Sequence, residues 1–325
     1  MAQRFRVFCN APLSASALEI LKQQASSHEL IFSQRLVDTV LVANEPDPAL
    51  LTADIAFGQP DLESVLRSDR LRWIHLTSAG YTRYDTSEFR SFAESHNLMV
   101  TNSSAVYAEA CAEHVFAFIM AQARKLPKAL GARCASGSPP WLDLREGSVL
   151  LRHQQGVILG FGAIARRLVQ LLAPFEMELT AMRRKPRGDE EIPIISPEQL
   201  REPLGQADHV INILPDNAES IRFVSAQRLE WMKRGAILYN IGRGTTVDQE
   251  ALLESLQRGH LGAAWLDVTD PEPLPDDHPL WCAPNCYITP HTAGGHQKES
   301  ETLVFHFLQN FERFLGGLPL RDRIM

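Results

Sequence analysis

Arginine, glutamate and histidine together can hold a carboxylate and move a proton, and this chain carries one of each in three motifs of its later half. They are Arg243 in Asn240-Ile-Gly-Arg-Gly244, Glu272 in Leu266-Asp-Val-Thr-Asp-Pro-Glu-Pro273, and His291 in Ile288-Thr-Pro-His-Thr-Ala-Gly294. A guanidinium offers a planar fork that binds a carboxylate through two parallel hydrogen bonds, and it stays charged at any relevant pH. An imidazole titrates near neutrality, so it can give a proton in one direction of a reaction and take it back in the other. Taken singly, an arginine after glycine, a glutamate between prolines and a histidine after proline each have an ordinary structural explanation. Each motif, however, follows an apolar run that reads as a strand, and open α/β sheets place ligands beyond the carboxyl ends of their strands. The joint placement favours one shared site.

A second constellation lies upstream. Gly156-Val-Ile-Leu-Gly160-Phe-Gly162-Ala-Ile-Ala165 reads as strand, glycine turn and helix. Gly160 permits the tight turn, Gly162 lets the backbone approach a pyrophosphate, and the helix start at Ala163 and Ile164 offers free amides to phosphate charge, with Ala165 as the permitted small third residue. About twenty residues on, a dinucleotide site specific for NAD places an acid on the ribose 2'-hydroxyl. The next strand instead ends Ala181-Met-Arg-Arg-Lys-Pro-Arg187. Arg183 takes the acid's register, Arg184 and Lys185 flank it, and guanidinium forks suit a 2'-phosphate. The sequence therefore points to NADP(H) in preference to NAD(H). The plainer explanation is a solvated loop balanced by Asp189-Glu-Glu191.

These residues need elements to position them. Short apolar runs alternate with amphipathic stretches through the first hundred residues: strands at 6–9, 28–32, 37–43, 54–57, 71–76 and 98–101, helices at 14–25 and 85–95. A largely uncharged helix follows at 106–125, too apolar for a surface helix, and the spacing predicts that it packs between domains or subunits. Ser136-Gly-Ser-Pro-Pro140 reads as a loop. A second alternation begins at 156, with strands at 156–159, 178–182, 209–214, 236–241, 262–267 and 286–289 and helices at 163–172, 225–232 and 249–258. A last amphipathic helix at 298–314 is expected to fold back onto the first domain. The fold class is thus α/β, with two doubly wound parallel-sheet domains. A Rossmann nucleotide domain (104–292) is inserted into a flavodoxin-like substrate domain (1–103 and 293–325).

Bulk properties agree. With 325 residues, 45% hydrophobic and 22% charged, the chain has an ordinary globular balance and material for two domains. A formal charge of -7 excludes an electrostatically driven nucleic-acid or anionic-membrane binder, so any anion site must be local. Five scattered cysteines make no disulfide framework, no run reaches the length of a membrane span, and no signal segment is read at the start; the expectation is a cytoplasmic protein. His291 and His296 lack zinc-ligand spacing, and Cys282 with Cys286 lacks further ligands in sequence, so no metal is expected.

The four ordered motifs, with Thr77-Ser-Ala-Gly-Tyr81, Val100-Thr-Asn102 and Ala112-Glu-His114 in the first part, resemble the D-isomer-specific 2-hydroxyacid dehydrogenase family over nearly the whole chain. The resemblance implies that Arg243 clamps the substrate carboxylate and polarises the 2-oxo group. It implies that His291 is the proton donor in carbonyl reduction, and that Glu272 holds the ring and favours its protonated form through opposite charge. Asp267 would contact the nicotinamide end, and the backbone of Ser78, Ala79 and Gly80 would give amides to the substrate carboxylate. Leu214, Pro215, Ile241 and Gly242 would line the cofactor beside Arg243 and His291. His114, on the apolar helix, reads as a structural histidine.

Two positions depart from the family pattern: His153 and Val157 stand where glycines are common. Glutamate at 272 argues against the formate dehydrogenase branch, which uses glutamine there. Small substrates such as glyoxylate or hydroxypyruvate fit the family. Alternatives are a nucleotide-sensing corepressor, which would carry partner-docking segments, and a phosphoglycerate-type dehydrogenase, for which a regulatory domain beyond Gly317 is expected. The apolar helix suggests a homodimer, in which Trp141 is either an interface anchor or reaches the partner's site.

Overall fold

The computed structural model describes residues 3–37 and 45–325, so most of the strand expected at 37–43 lies outside the described residues. The chain divides into two compact units: one runs to Tyr107 and resumes at Gly295–Met325, the other is Ala108–Gly294. The division falls inside the helix Ser104–Ala123.

The first unit is a five-stranded parallel sheet of β1 (Arg6–Cys9), β2 (Glu29–Phe32), β3 (Ile55–Gly58), β4 (Trp73–Leu76) and β5 (Met99–Thr101), in the order β2-β1-β3-β4-β5. This is the flavodoxin-like order expected. The strands β3 and β4 are buried at every position, as parallel strands covered on both faces must be. Helix Ala15–Gln24 begins at Ser14, whose hydroxyl accepts from the Ala17 N–H. It packs beside the last helix, Glu299–Leu315, so the tail does return to the first unit. Phe307 of that helix is fully buried, stacked 4.4 Å from Phe57 and 5.3 Å from Trp73 between ring centroids. Truncating it to alanine should cost about 3–5 kcal/mol by the usual cavity rule.

The second unit contains β6 (Gln155–Leu159), β7 (Glu178–Met182), β8 (Ile194–Ile195), β9 (His209–Asn212), β10 (Ile237–Asn240), β11 (Ala263–Leu266) and β12 (Cys286–Ile288), all parallel. Their order is β12-β11-β10-β9-β6-β7-β8, the Rossmann order with one added strand. The order reverses between β6 and β9, and there the glycine turn emerges.

One reading is corrected. The segment Ser136–Pro140 is not wholly loop: Ser138 precedes a helix, Pro139–Glu146, whose first positions are the two prolines. Proline breaks a helix interior but suits its first turn, where the missing N–H would have no partner anyway. The short β8 also went unread, because two residues carry no periodicity. His153, where the family favours glycine, has a φ of +61°, the left-handed region that glycine occupies without cost.

Candidate active site

Both sheets present loops at the carboxyl ends of their strands. In the second unit, Gly160 turns the chain out of β6 with a φ of +96°, and a Cβ there would meet the Ile213 carbonyl oxygen at 3.2 Å. Gly162 precedes helix Ala163–Leu172 and supplies no side-chain cap; a Cβ on it would meet nothing within 4 Å. First-turn amides opening on free space above a bare glycine are the cradle that a pyrophosphate needs, so the residues present fit a dinucleotide.

The basic run beyond β7 is not free. Arg183 donates to Glu190 at 3.1 Å, with side-chain exposures of 18% and 5%, and Arg184 pairs with Glu219. Arg166, in the first turns of the phosphate-side helix, binds Asp189 at 2.7 Å and Glu191 at 3.1 Å. The basic run is thus partly balanced by acids of its own loop, as the plainer explanation held. The loop folds back so that Glu190 reaches Arg183, while Asp189 and Glu191 turn to Arg166.

Arg243 follows β10. It is half-buried, its Nη1 donates to the Gly242 carbonyl at 2.7 Å, and no carboxylate among the described residues pairs with it. Its backbone is held from beneath. The Arg243 carbonyl accepts from the Thr246 hydroxyl at 2.6 Å and the Asn240 amide at 3.1 Å, while Asn212 donates to Asn240 at 2.9 Å and to Thr246 at 2.7 Å. Asn212, Asn240 and Thr246 are all buried, and buried polar groups persist only when satisfied. Asn212 and Thr246 were not singled out by sequence reasoning. The available signal was that two adjacent apolar strands, paired Asn240 to Asn212, both end on asparagine.

His291 follows β12 and binds Glu272 through Nδ1. Its φ of +52° is unusual for a residue with a side chain, and such conformations persist where surrounding contacts enforce them. The enforcing contacts come from Asp267 at the end of β11. The Asp267 carbonyl accepts from the His291 N–H at 2.9 Å. Its carboxylate, with only 1% of the side chain exposed, accepts from the Thr289 hydroxyl at 2.6 Å and from the Thr292 and Ala293 N–H groups at 2.9 Å each. Asp267 thus fixes the turn that aims His291. His114 Nε2 lies 3.3 Å from the Thr289 hydroxyl and 3.6 Å from the Asp267 carboxylate. Burial pushes its pKa down, and Asp267 partly opposes that shift. Leu214 and Pro215 follow β9, and Ile241 and Gly242 follow β10, at the same sheet edge.

In the first unit, Ser78, Ala79 and Gly80 follow β4. Their carbonyls are occupied: Ser103 N–H donates to Ser78, Asn102 to Ala79 at 2.7 Å, and the Ser78 hydroxyl to Gly80 at 2.6 Å. No described group accepts from their three N–H groups. Among the described residues no cluster could hold a metal, and no helix is long and apolar enough to cross a membrane.

Residues 116–293 match the family model described as D-isomer specific 2-hydroxyacid dehydrogenase, NAD binding domain. Glyoxylate reductase of Aeropyrum pernix is 29% identical over 335 residues, covering 97% of this chain and 94% of that protein. Glyoxylate/hydroxypyruvate reductase B of Escherichia fergusonii is 32% identical over 230 residues, 68% of each chain. The crystal structure of a D-isomer specific 2-hydroxyacid dehydrogenase family protein from Aeromonas salmonicida superimposes with a TM-score of 0.79 at 26% identity, covering 99% of both chains.

Proposed function

This chain belongs to the D-isomer specific 2-hydroxyacid dehydrogenase family, and from that premise we propose that it reduces short 2-oxo acids of the glyoxylate or hydroxypyruvate kind, with NADP(H) preferred over NAD(H). The observation that carries the reading is the His291–Glu272 pair, at the same sheet edge as an arginine that pairs with no carboxylate among the described residues. Bound reduced nicotinamide supplies the hydride to the carbonyl carbon. His291 gives the proton to the carbonyl oxygen and takes it back in the oxidative direction. Glu272 keeps Nδ1 engaged, which leaves Nε2 to face substrate. Arg243 binds the substrate carboxylate and draws charge from the 2-oxo group. The free N–H groups of Ser78, Ala79 and Gly80 are assigned to a substrate carboxylate, and Asp267, beyond holding its turn, to the nicotinamide end.

The absence of an acid directly after β7 supports NADP(H), since no carboxylate of that register repels a 2'-phosphate. Glyoxylate reductase as the name of a relative covering nearly the whole chain supports the substrate class. A panel of 2-oxo acids followed by NADPH and NADH oxidation tests the reading. Glyoxylate and hydroxypyruvate should lead the panel, with NADPH the faster reductant. Failure to turn over any 2-oxo acid would sink the function, and faster rates with NADH would sink the cofactor preference. Exposed Leu130, Leu142, Val149 and Leu150 support a homodimer, and a monomer mass by light scattering at micromolar concentration would reject it.

A further inference from the structure

Among the described residues, Glu190 is the one acid paired with the arginine assigned above to the 2'-phosphate. We propose that Glu190 is a specificity-determining residue: by occupying Arg183 it moderates the chain's selectivity for the 2'-phosphorylated cofactor and keeps NAD(H) usable. The inference rests on the reading of Arg183 as the 2'-phosphate ligand.

The geometry is that of a built contact. Glu190 Oε1 accepts from Arg183 Nη1 at 3.1 Å and from the Arg187 N–H at 2.7 Å, and Oε2 accepts from the Gly188 N–H at 2.8 Å. Its carboxylate is the inward-turned member of Asp189-Glu190-Glu191, since its neighbours both turn to Arg166. The amide donors of Arg187 and Gly188 foremost, with Arg183 adding to them, hold its carboxyl below the usual carboxylate range, so the negative charge persists under working conditions. A 2'-phosphate at Arg183 would have to share or displace that carboxylate. A ribose 2'-hydroxyl brings no charge to compete. The fixed anion therefore weighs on one cofactor and not on the other.

The test is calorimetric titration with NADP+ and NAD+ of the wild type, Glu190→Gln, Glu190→Asp, Arg183→Ala and the double variant Arg183→Ala/Glu190→Gln. Glu190→Gln should raise selectivity for NADP+ over NAD+ by roughly fivefold, the scale of a partly exposed charge pair. Glu190→Asp keeps the charge and should stay within about twofold of wild type. In the Arg183→Ala background the Glu190→Gln shift should vanish. Unchanged or lowered selectivity in Glu190→Gln overturns the inference, as does an equal shift without Arg183 or a Glu190→Asp response matching that of Glu190→Gln. If Arg183→Ala itself leaves NADP+ affinity unchanged, the underlying assignment of Arg183 has failed, a result distinct from failure at Glu190.

Discussion

Two arginines at the same sheet edge, Arg183 after β7 and Arg243 after β10, are alike in charge and opposite in circumstance. Arg183 is paired with a nearly buried glutamate from its own loop. Among the described residues the Arg243 guanidinium meets only a backbone carbonyl, and its main chain is locked by a neutral network of Asn212, Asn240 and Thr246. A cation held by neutral groups keeps its full charge for an incoming anion, whereas a cation held by an anion must share it. On the proposed reading, the strong anion contact falls to Arg243 and the adjustable one to Arg183.

That contrast breaks or sharpens under four experiments. His291→Ala removes the proposed proton donor, and kcat should fall by about 10³-fold with cofactor dissociation constants nearly unchanged; near-normal turnover would remove His291 from the role. Arg243→Ala should lower kcat/KM by about 10²- to 10³-fold. A loss no larger than that of Arg183→Ala would erase the difference between the two sites.

A third test concerns the strands beneath Arg243. His209 opens β9, buried between the Tyr239 hydroxyl at 3.0 Å and Gln154 at 2.6 Å. Burial lowers its pKa from the ordinary 6.5 to about 4, against a weaker opposing pull from Asp208. Between those values the unfolded chain binds a proton that the native chain refuses. The native state therefore loses stability as pH falls from 6.5 toward 4, by up to about 3 kcal/mol from this group, and owes it no penalty above 6.5. Denaturant midpoints across that range should show the slope in wild type and lose much of it in His209→Gln; equal slopes would refute the assignment. Last, Thr246→Val deletes the hydroxyl that joins Asn212 to the Arg243 carbonyl. It should lower kcat/KM several-fold, with NADP+ affinity little changed. An effect confined to stability would mean that the network does not aim Arg243.

Much of the fold was legible because parallel strands and their helices announce themselves by period. The runs at Arg6–Cys9 and Glu178–Met182 and the helix Ala163–Leu172 appear with the expected bounds. The helix Pro139–Glu146 and β8 were not legible: one opens with residues that usually signal a break, and the other is too short to have a period. At the site, Arg243, Glu272 and His291 were legible through their motifs, and the structure brings Glu272 to His291 across eighteen intervening residues. Asp267 was legible as a residue of interest, but its part in fixing the His291 turn was not. That part depends on amides at Thr292 and Ala293, and every residue has such donors.

The sequence by itself determined most of the order of strands and helices, the glycine turn and which acid, base and cations are candidates for the site, because periodicity, glycine chemistry and side-chain type are local properties. Only the tertiary structure decided which charges are already spent. Whether Arg183 faces Glu190, Arg184 faces Glu219 and Arg243 faces no carboxylate among the described residues depends on where loops fold back. Coulomb attraction acts on distance in space and takes no account of separation along the chain.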